Sequence, residues 1–287
     1  MSSAALPLRR IARWRPASVL PGFGLSFGIA TTALSLIVLF PLAMLVLQAS
    51  SLGLRGLWAA ASEPRVAYAL ENTFGISLAA AATDVLFGVL IAFVLTRFRF
   101  PGRGVLDAVV DLPLALPTAV AGISLAALYA PNGWLGAPLA TIGVTVAYTR
   151  LGIFVALVFV GLPFVVRNVE PLLAELDREL EEASATLGAT SGQTLRRVLL
   201  PPLAPAILTG FAMAFARGVG EYGSVIFIAG NLAYISEIAP LLVVVKLEQY
   251  DYVGATAIAT IMLAISFGVL VAINALQAFS RRRLGLG

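Results

Sequence analysis

Arg217 and Glu221 stand in the middle of an apolar run, one helical turn apart. An ionised residue at the centre of a bilayer costs about 2.5–3.5 kcal/mol on insertion scales, so neither is expected to face lipid. At i and i+4 they can neutralise each other. Two readings stay open for the pair: a structural ion pair holding its helix against its neighbours, or a border of a translocation path with Arg217 available to an anion. The string Gly218-Val219-Gly220-Glu221-Tyr222-Gly223 around them matches G-x-G-x-x-G. That spacing binds dinucleotides only between a strand and a helix, and this copy lies inside an apolar span. Its glycines are read as permitting close helix packing, in preference to a local helix break.

Few other chemistries are available. His and Cys are both absent, which removes thiol chemistry, disulfides and the usual soft or borderline metal ligands. Lys246, the sole lysine, follows Leu241-Leu242-Val243-Val244-Val245, so no G-x-x-x-x-G-K-[ST] loop exists. ATP that drives this protein must therefore be bound by another chain. Carboxylates at membrane depth are scattered: Asp84 and Glu221 do not form the acid relay of many proton-coupled carriers, and no internal repeat is visible. Asp84 is read as hydrogen-bonded structure and Arg150 as a side chain that snorkels to the outer interface. No enzyme-like constellation is assembled.

The elements that must position these residues are membrane helices. With 60% hydrophobic and 12% charged residues over 287 positions and a mean hydropathy of +0.96, the chain cannot present an ordinary polar surface to water. Apolar windows of about 20 residues, the length that crosses the hydrocarbon, predict six spans: Leu25–Leu47, Thr73–Leu95, Val105–Ala130, Ile142–Val166, Leu203–Ile228 and Ala255–Phe279. Arg9, Arg10, Arg13, Arg15, Arg97, Arg99, Arg103, Arg167, Arg178, Arg196, Arg197 and Arg281 to Arg283 fall on one side, against Arg55, Arg65 and Lys246 on the other. The positive-inside rule then puts both basic termini, 1–24 and 280–287, in the cytoplasm. The first apolar run is too long for a signal-peptide core and is read as a retained span.

Within the third span Pro113 and Pro117 interrupt helical bonding. They predict a kink, either a moving gate or a static bend. The outer loop at about 232–253 is long enough for a small cap or a re-entrant segment.

The cytoplasmic loop 167–200 obeys helix rules. Leu172, Leu176, Leu180, Ala183 and Leu187 recur at helical spacing, which predicts one amphipathic helix. Gly188 then suits a helix end. Thr190 with Gln193 predicts a capping box for a second short helix, which Pro201, Pro202 and Pro205 bring to a stop before the next span. Six of the chain's fifteen acids lie between Glu170 and Glu182. Membrane-surface helices carry basic polar faces, so this acidic loop is expected to dock on a protein.

Here the residues carry a resemblance. Glu182, Ala183, Ser184, Gly188, Val198, Leu200 and Pro201 resemble the E-A-A, three residues, G, nine residues, I, one residue, L-P motif of ABC importer permeases, with Ser184 for the second alanine and Val198 for isoleucine. The segments beginning at Asp111, Gly161 and Gly220 are similar to the T-type permease of bacterial sulfate/thiosulfate importers, and less closely to molybdate permeases. The resemblance implies an all-α type I importer permease fold over residues 70–276, with 25–47 an added first span. It further implies an inner-membrane subunit whose loop couples to a separate ABC ATPase dimer, where ATP and Mg are bound. A W-type sister permease and a periplasmic sulfate/thiosulfate-binding protein would complete the importer, and this chain would hold no cofactor.

Overall fold

The computed structural model describes residues 22–283, and its contacts divide the chain between Gln48 and Ala49 into two compact units. Helix α1, Phe23–Ser50, belongs to the first as far as Gln48; its 28 residues extend about 42 Å at 1.5 Å per residue, enough to cross a bilayer. A π turn at Ser35–Leu39 widens it midway. The basic residues from Arg9 to Arg15 and the last four residues of the chain lie outside the described residues.

The second unit runs α2 (Gly53–Ala61), α3 (Pro64–Arg97), α4 (Arg103–Ala115), α5 (Thr118–Tyr129), α6 (Gly136–Thr141), α7 (Arg150–Glu175) and α8 (Glu179–Thr186). It continues through α9 (Ser191–Val219), α10 (Val225–Ile228), α11 (Ala239–Glu248) and α12 (Tyr252–Arg283). All regular structure among the described residues is helical. Among the described residues five helices are long and apolar enough to span, and α4 with α5 forms a bent apolar pair that makes a sixth if the two are one span.

Helices α3, α7 and α9 form the centre. Val165, Val166, Val169 and Leu173 of α7 are buried against Ala92 and Leu95 of α3 and Leu203 and Phe215 of α9. In lipid the hydrophobic effect does not drive helices together, so close van der Waals packing must do so. Glycine supplies the approach: a Cβ on Gly88 of α3 would stand 2.7 Å from Val165 Cγ1, and one on Gly210 of α9 would stand 2.8 Å from Val165 Cα.

Several predicted spans are redrawn. The third, expected at Val105–Ala130, is two helices bent by 115°. Leu116 is extended before Pro117, as a residue preceding proline prefers, and α5 is then pinned where Gly122 meets the Ser224 backbone. The fourth starts at Arg150 rather than Ile142 because positive φ at Gly143 and Tyr148 makes the apolar stretch before it a loop. The fifth helix ends at Val219, so residues 220–224 form a break before the single turn α10.

The two ends of this bundle are tied differently. At one end the C-termini of α3 and α7 meet α8 and the start of α9. At the other, Asn72 donates to the carbonyls of Ile235 and Glu237, both at 3.0 Å, and the Ala239 N–H donates to Thr73 Oγ1 at 2.8 Å. Arg65 makes a two-pronged contact with Glu237 at 2.8 and 2.7 Å. The segment predicted only as a cap or re-entrant piece thus contains α11, anchored on α3. Arg150 opens α7 and donates to the Ile235 carbonyl at 2.6 Å.

Candidate functional site

The polar loop is a closed helix–turn–helix. The single helix predicted from Leu172 to Leu187 is instead two, because Leu176 turns extended and ends α7, and α8 restarts at Glu179. Acids in the first turn of α8, Glu179, Glu181 and Glu182, meet the positive end of its dipole. Its other end is a Schellman motif: the Gly188 N–H donates to Ala185 O at 2.9 Å and the Ala189 N–H to Ser184 O at 3.0 Å. Gly188 holds φ +81° there, a conformation that costs other residues strain.

The capping box forms as expected. Thr190 Oγ1 accepts from the Gln193 N–H at 3.4 Å, and Gln193 Oε1 accepts from the Thr190 N–H at 2.9 Å. The helix it starts is α9 itself, which does not stop at the prolines but runs on to Val219. A π turn at Leu195–Leu199 widens the helix just before Pro201 and Pro202, which cannot donate to the preceding turn.

Ser184 holds a hydrogen bond that an alanine could not. Its hydroxyl donates to Glu181 O at 2.8 Å and shares a 2.8 Å hydrogen bond with Thr194 Oγ1, joining α8 to α9. Around this joint Glu182 and Ala183 are exposed and Leu187 is 88% exposed, while Val198, Leu200 and Pro201 are half-buried at the root of α9. The turn therefore presents leucine and acid together, outside the apolar bundle.

The family model of the binding-protein-dependent transport system inner membrane component matches residues 84–285. The chain belongs to this family. The permease is 52% identical over 252 residues to the sulfate transport system permease protein CysT of Synechococcus elongatus, covering 88% of this chain and 91% of that one. It is 48% identical over 268 residues to the protein of that name from Escherichia coli, covering 93% and 97%. Its fold is that of ABC importer permeases: a chain of a bacterial alginate ABC transporter, solved with an alginate-bound periplasmic protein, superposes with a TM-score of 0.73 at 17% identity, over 91% of the permease and 94% of that chain.

Within the bundle the permease brings Arg217 and Glu221 together as an ion pair where α9 ends. Glu221 is 1% exposed on its side chain, Arg217 33%. The second carboxylate oxygen of Glu221 accepts from both the N–H and the hydroxyl of Ser224 at 2.8 Å. Glu221 thereby caps the break that follows α9. The neighbouring glycines divide their roles: Gly218 packs on Ser77 of α3, where a Cβ would stand 3.1 Å from Ser77 Oγ, and Gly223 packs on Thr118 of α5. Both the packing and the break considered for this stretch are present.

Pro113 lies inside α4 and Pro117 caps α5, so both flank the 115° bend. Asp84 departs from its expected role. It is buried beside Gly161, yet among the described residues neither carboxylate oxygen has a hydrogen-bond partner. Sequence reasoning passed over Arg167, which gathers Asp107, Asp111 and Glu170 at 2.6–2.8 Å and ties α4 to α7. An arginine just past the predicted fourth span, with an acid three residues on and two more at the start of the predicted third span, was the available signal.

Proposed function

We propose that this permease is one subunit of an ABC importer that carries sulfate, and thiosulfate, across the inner membrane. A separate ATPase dimer drives it through the loop 179–201, with Glu182, Ala183, Ser184, Gly188, Leu200 and Pro201 forming the docking element and its root. A sister permease of the W type completes the pore, and a periplasmic binding protein delivers the anion. Both termini face the cytoplasm, on the side where the arginine-rich loops lie.

The observation that carries the coupling reading is Leu187, 88% exposed beside the Gly188 turn of a hydrogen-bonded polar loop. A leucine held in water contributes roughly 1.5–3 kcal/mol when a partner covers it. The chain has no phosphate-binding lysine loop of its own, so the nucleotide chemistry belongs to that partner. The cargo is carried by likeness to sulfate permeases. A tetrahedral dianion suits neutral N–H donors and helix N-termini, so a path with few free cations is compatible with it.

The coupling experiment is Gly188→Asp, assembled in vesicles with the sister permease, ATPase and binding protein. The variant is expected to insert and assemble but to lose ATP-dependent uptake of labelled sulfate. Uptake at the wild-type rate contradicts the coupling role of the loop.

A further inference from the structure

The structure also shows what holds the loop in place. Arg97, the last residue of α3, is ion-paired to Glu181 in the first turn of α8 at 2.8 Å and donates to the Leu176 carbonyl at 3.0 Å. Arg178 closes the circuit by donating to the Arg97 carbonyl at 3.2 Å. The Arg97 side chain is only 8% exposed. Leu176 is the residue at which the chain leaves α7, so one guanidinium grips both the hinge before α8 and α8 itself.

We infer that Arg97 is the positioning residue of the coupling loop, fixing α8 to α3 so that a displacement of the loop must move α3. Three features support it. The guanidinium has two points of attachment on the loop, which resists rotation about either one. Helix α3 is continuous for 34 residues, about 51 Å at 1.5 Å per residue, and packs along both α7 and α9. Its far end carries a second ion pair, Arg65 with Glu237, which holds the segment leading into α11. A single helix therefore joins the coupling loop to the opposite end of the permease through an ion pair at each end. Neither Arg97 nor Glu181 belongs to the motif that marks the loop.

This inference rests on the coupling role proposed for the loop, and the test separates the two. Permease variants Arg97→Ala, Arg97→Lys, Arg97→Glu and Arg97→Glu/Glu181→Arg are assembled with the ATPase, sister permease and binding protein in vesicles, beside wild type and Gly188→Asp. Copurification of the ATPase, ATP hydrolysis and uptake of labelled sulfate are measured on each. Arg97→Ala is expected to keep the ATPase bound but lower sulfate moved per ATP hydrolysed by about tenfold. Arg97→Lys should retain part of the coupling, and the exchanged pair should recover more of it than Arg97→Glu alone.

Normal stoichiometry in Arg97→Ala, or an exchanged pair no better than Arg97→Glu, overturns the role of Arg97, while loss of uptake in Gly188→Asp keeps the coupling loop. If Gly188→Asp transports like wild type, the coupling reading falls and the inference about Arg97 falls with it.

Discussion

Gly210 of α9 lies so close to Val165 of α7 that a Cβ on the glycine would stand 2.8 Å from the valine Cα. Because the contact is with backbone, a side-chain rotation cannot relieve it. Gly210→Ala is therefore expected to lower the thermal midpoint of the permease in detergent, by the equivalent of about 1–3 kcal/mol typical of overpacking. Gly75→Ala in α3 is the control, since among the described residues nothing lies within 4 Å of its added Cβ. Helix propensity favours alanine over glycine by about 1 kcal/mol, so the control should be neutral or stabilised.

Arg217 and Glu221 make a second prediction through their unequal burial. Arg217→Ala strands a buried carboxylate that keeps only its Ser224 donors, whereas Arg217→Ala/Glu221→Ala removes both charges. The single variant is expected to be the less stable. Its cost should fall below the roughly 3–5 kcal/mol of fully buried pairs because Arg217 is a third exposed. Thermal unfolding of both variants measures the order. Equal loss of sulfate uptake with intact stability and assembly in both would assign the pair to the translocation path instead.

Asp251 gives a pH-dependent prediction. It precedes α12, accepts from the Gly254 N–H at 2.8 Å and pairs with Lys246 at 3.0 Å; these contacts hold its carboxyl below its ordinary pKa of 3.8. The depressed value means that the stabilisation is fully present above that ordinary pKa and is lost as pH falls through the folded-state value. The thermal midpoint of wild type should exceed that of Asp251→Asn at neutral pH, and the difference should shrink as pH drops below about 4. An N-cap contributes about 0.5–2 kcal/mol, and this one should be near the lower limit because the carboxylate is well exposed. A gap that widens with acid would contradict the assignment.

The sequence made some of this legible because the relevant physics is local. Apolar windows located the crossings, Gly188 marked a helix end, and Thr190 with Gln193 marked the next start; each involves residues within a few positions. Hydropathy failed at Ile142–Thr149, where an apolar loop with Tyr148 at φ 65° reads like helix. Prolines announced a discontinuity at Leu116–Pro117, but its 115° angle depends on contacts such as Gly122 with Ser224, far away in the chain. The break after Val219 was weighed from its glycines but ranked below close packing, because apolar residues run on both sides. Ser184 looked like a small substitution, and its hydrogen bond to Thr194 emerged only once the turn was folded. The Arg97–Glu181 pair was invisible for the same reason, since neither residue signals its partner.

The most direct measurement is ATP-dependent uptake of labelled sulfate into vesicles holding this permease with its sister permease, ATPase and binding protein. Excess unlabelled thiosulfate or molybdate serves as competitor. The account predicts uptake that requires all four components, is blocked by thiosulfate and is little affected by molybdate. Uptake without the ATPase would contradict the transport mechanism, and accumulation of molybdate in place of sulfate would contradict the cargo.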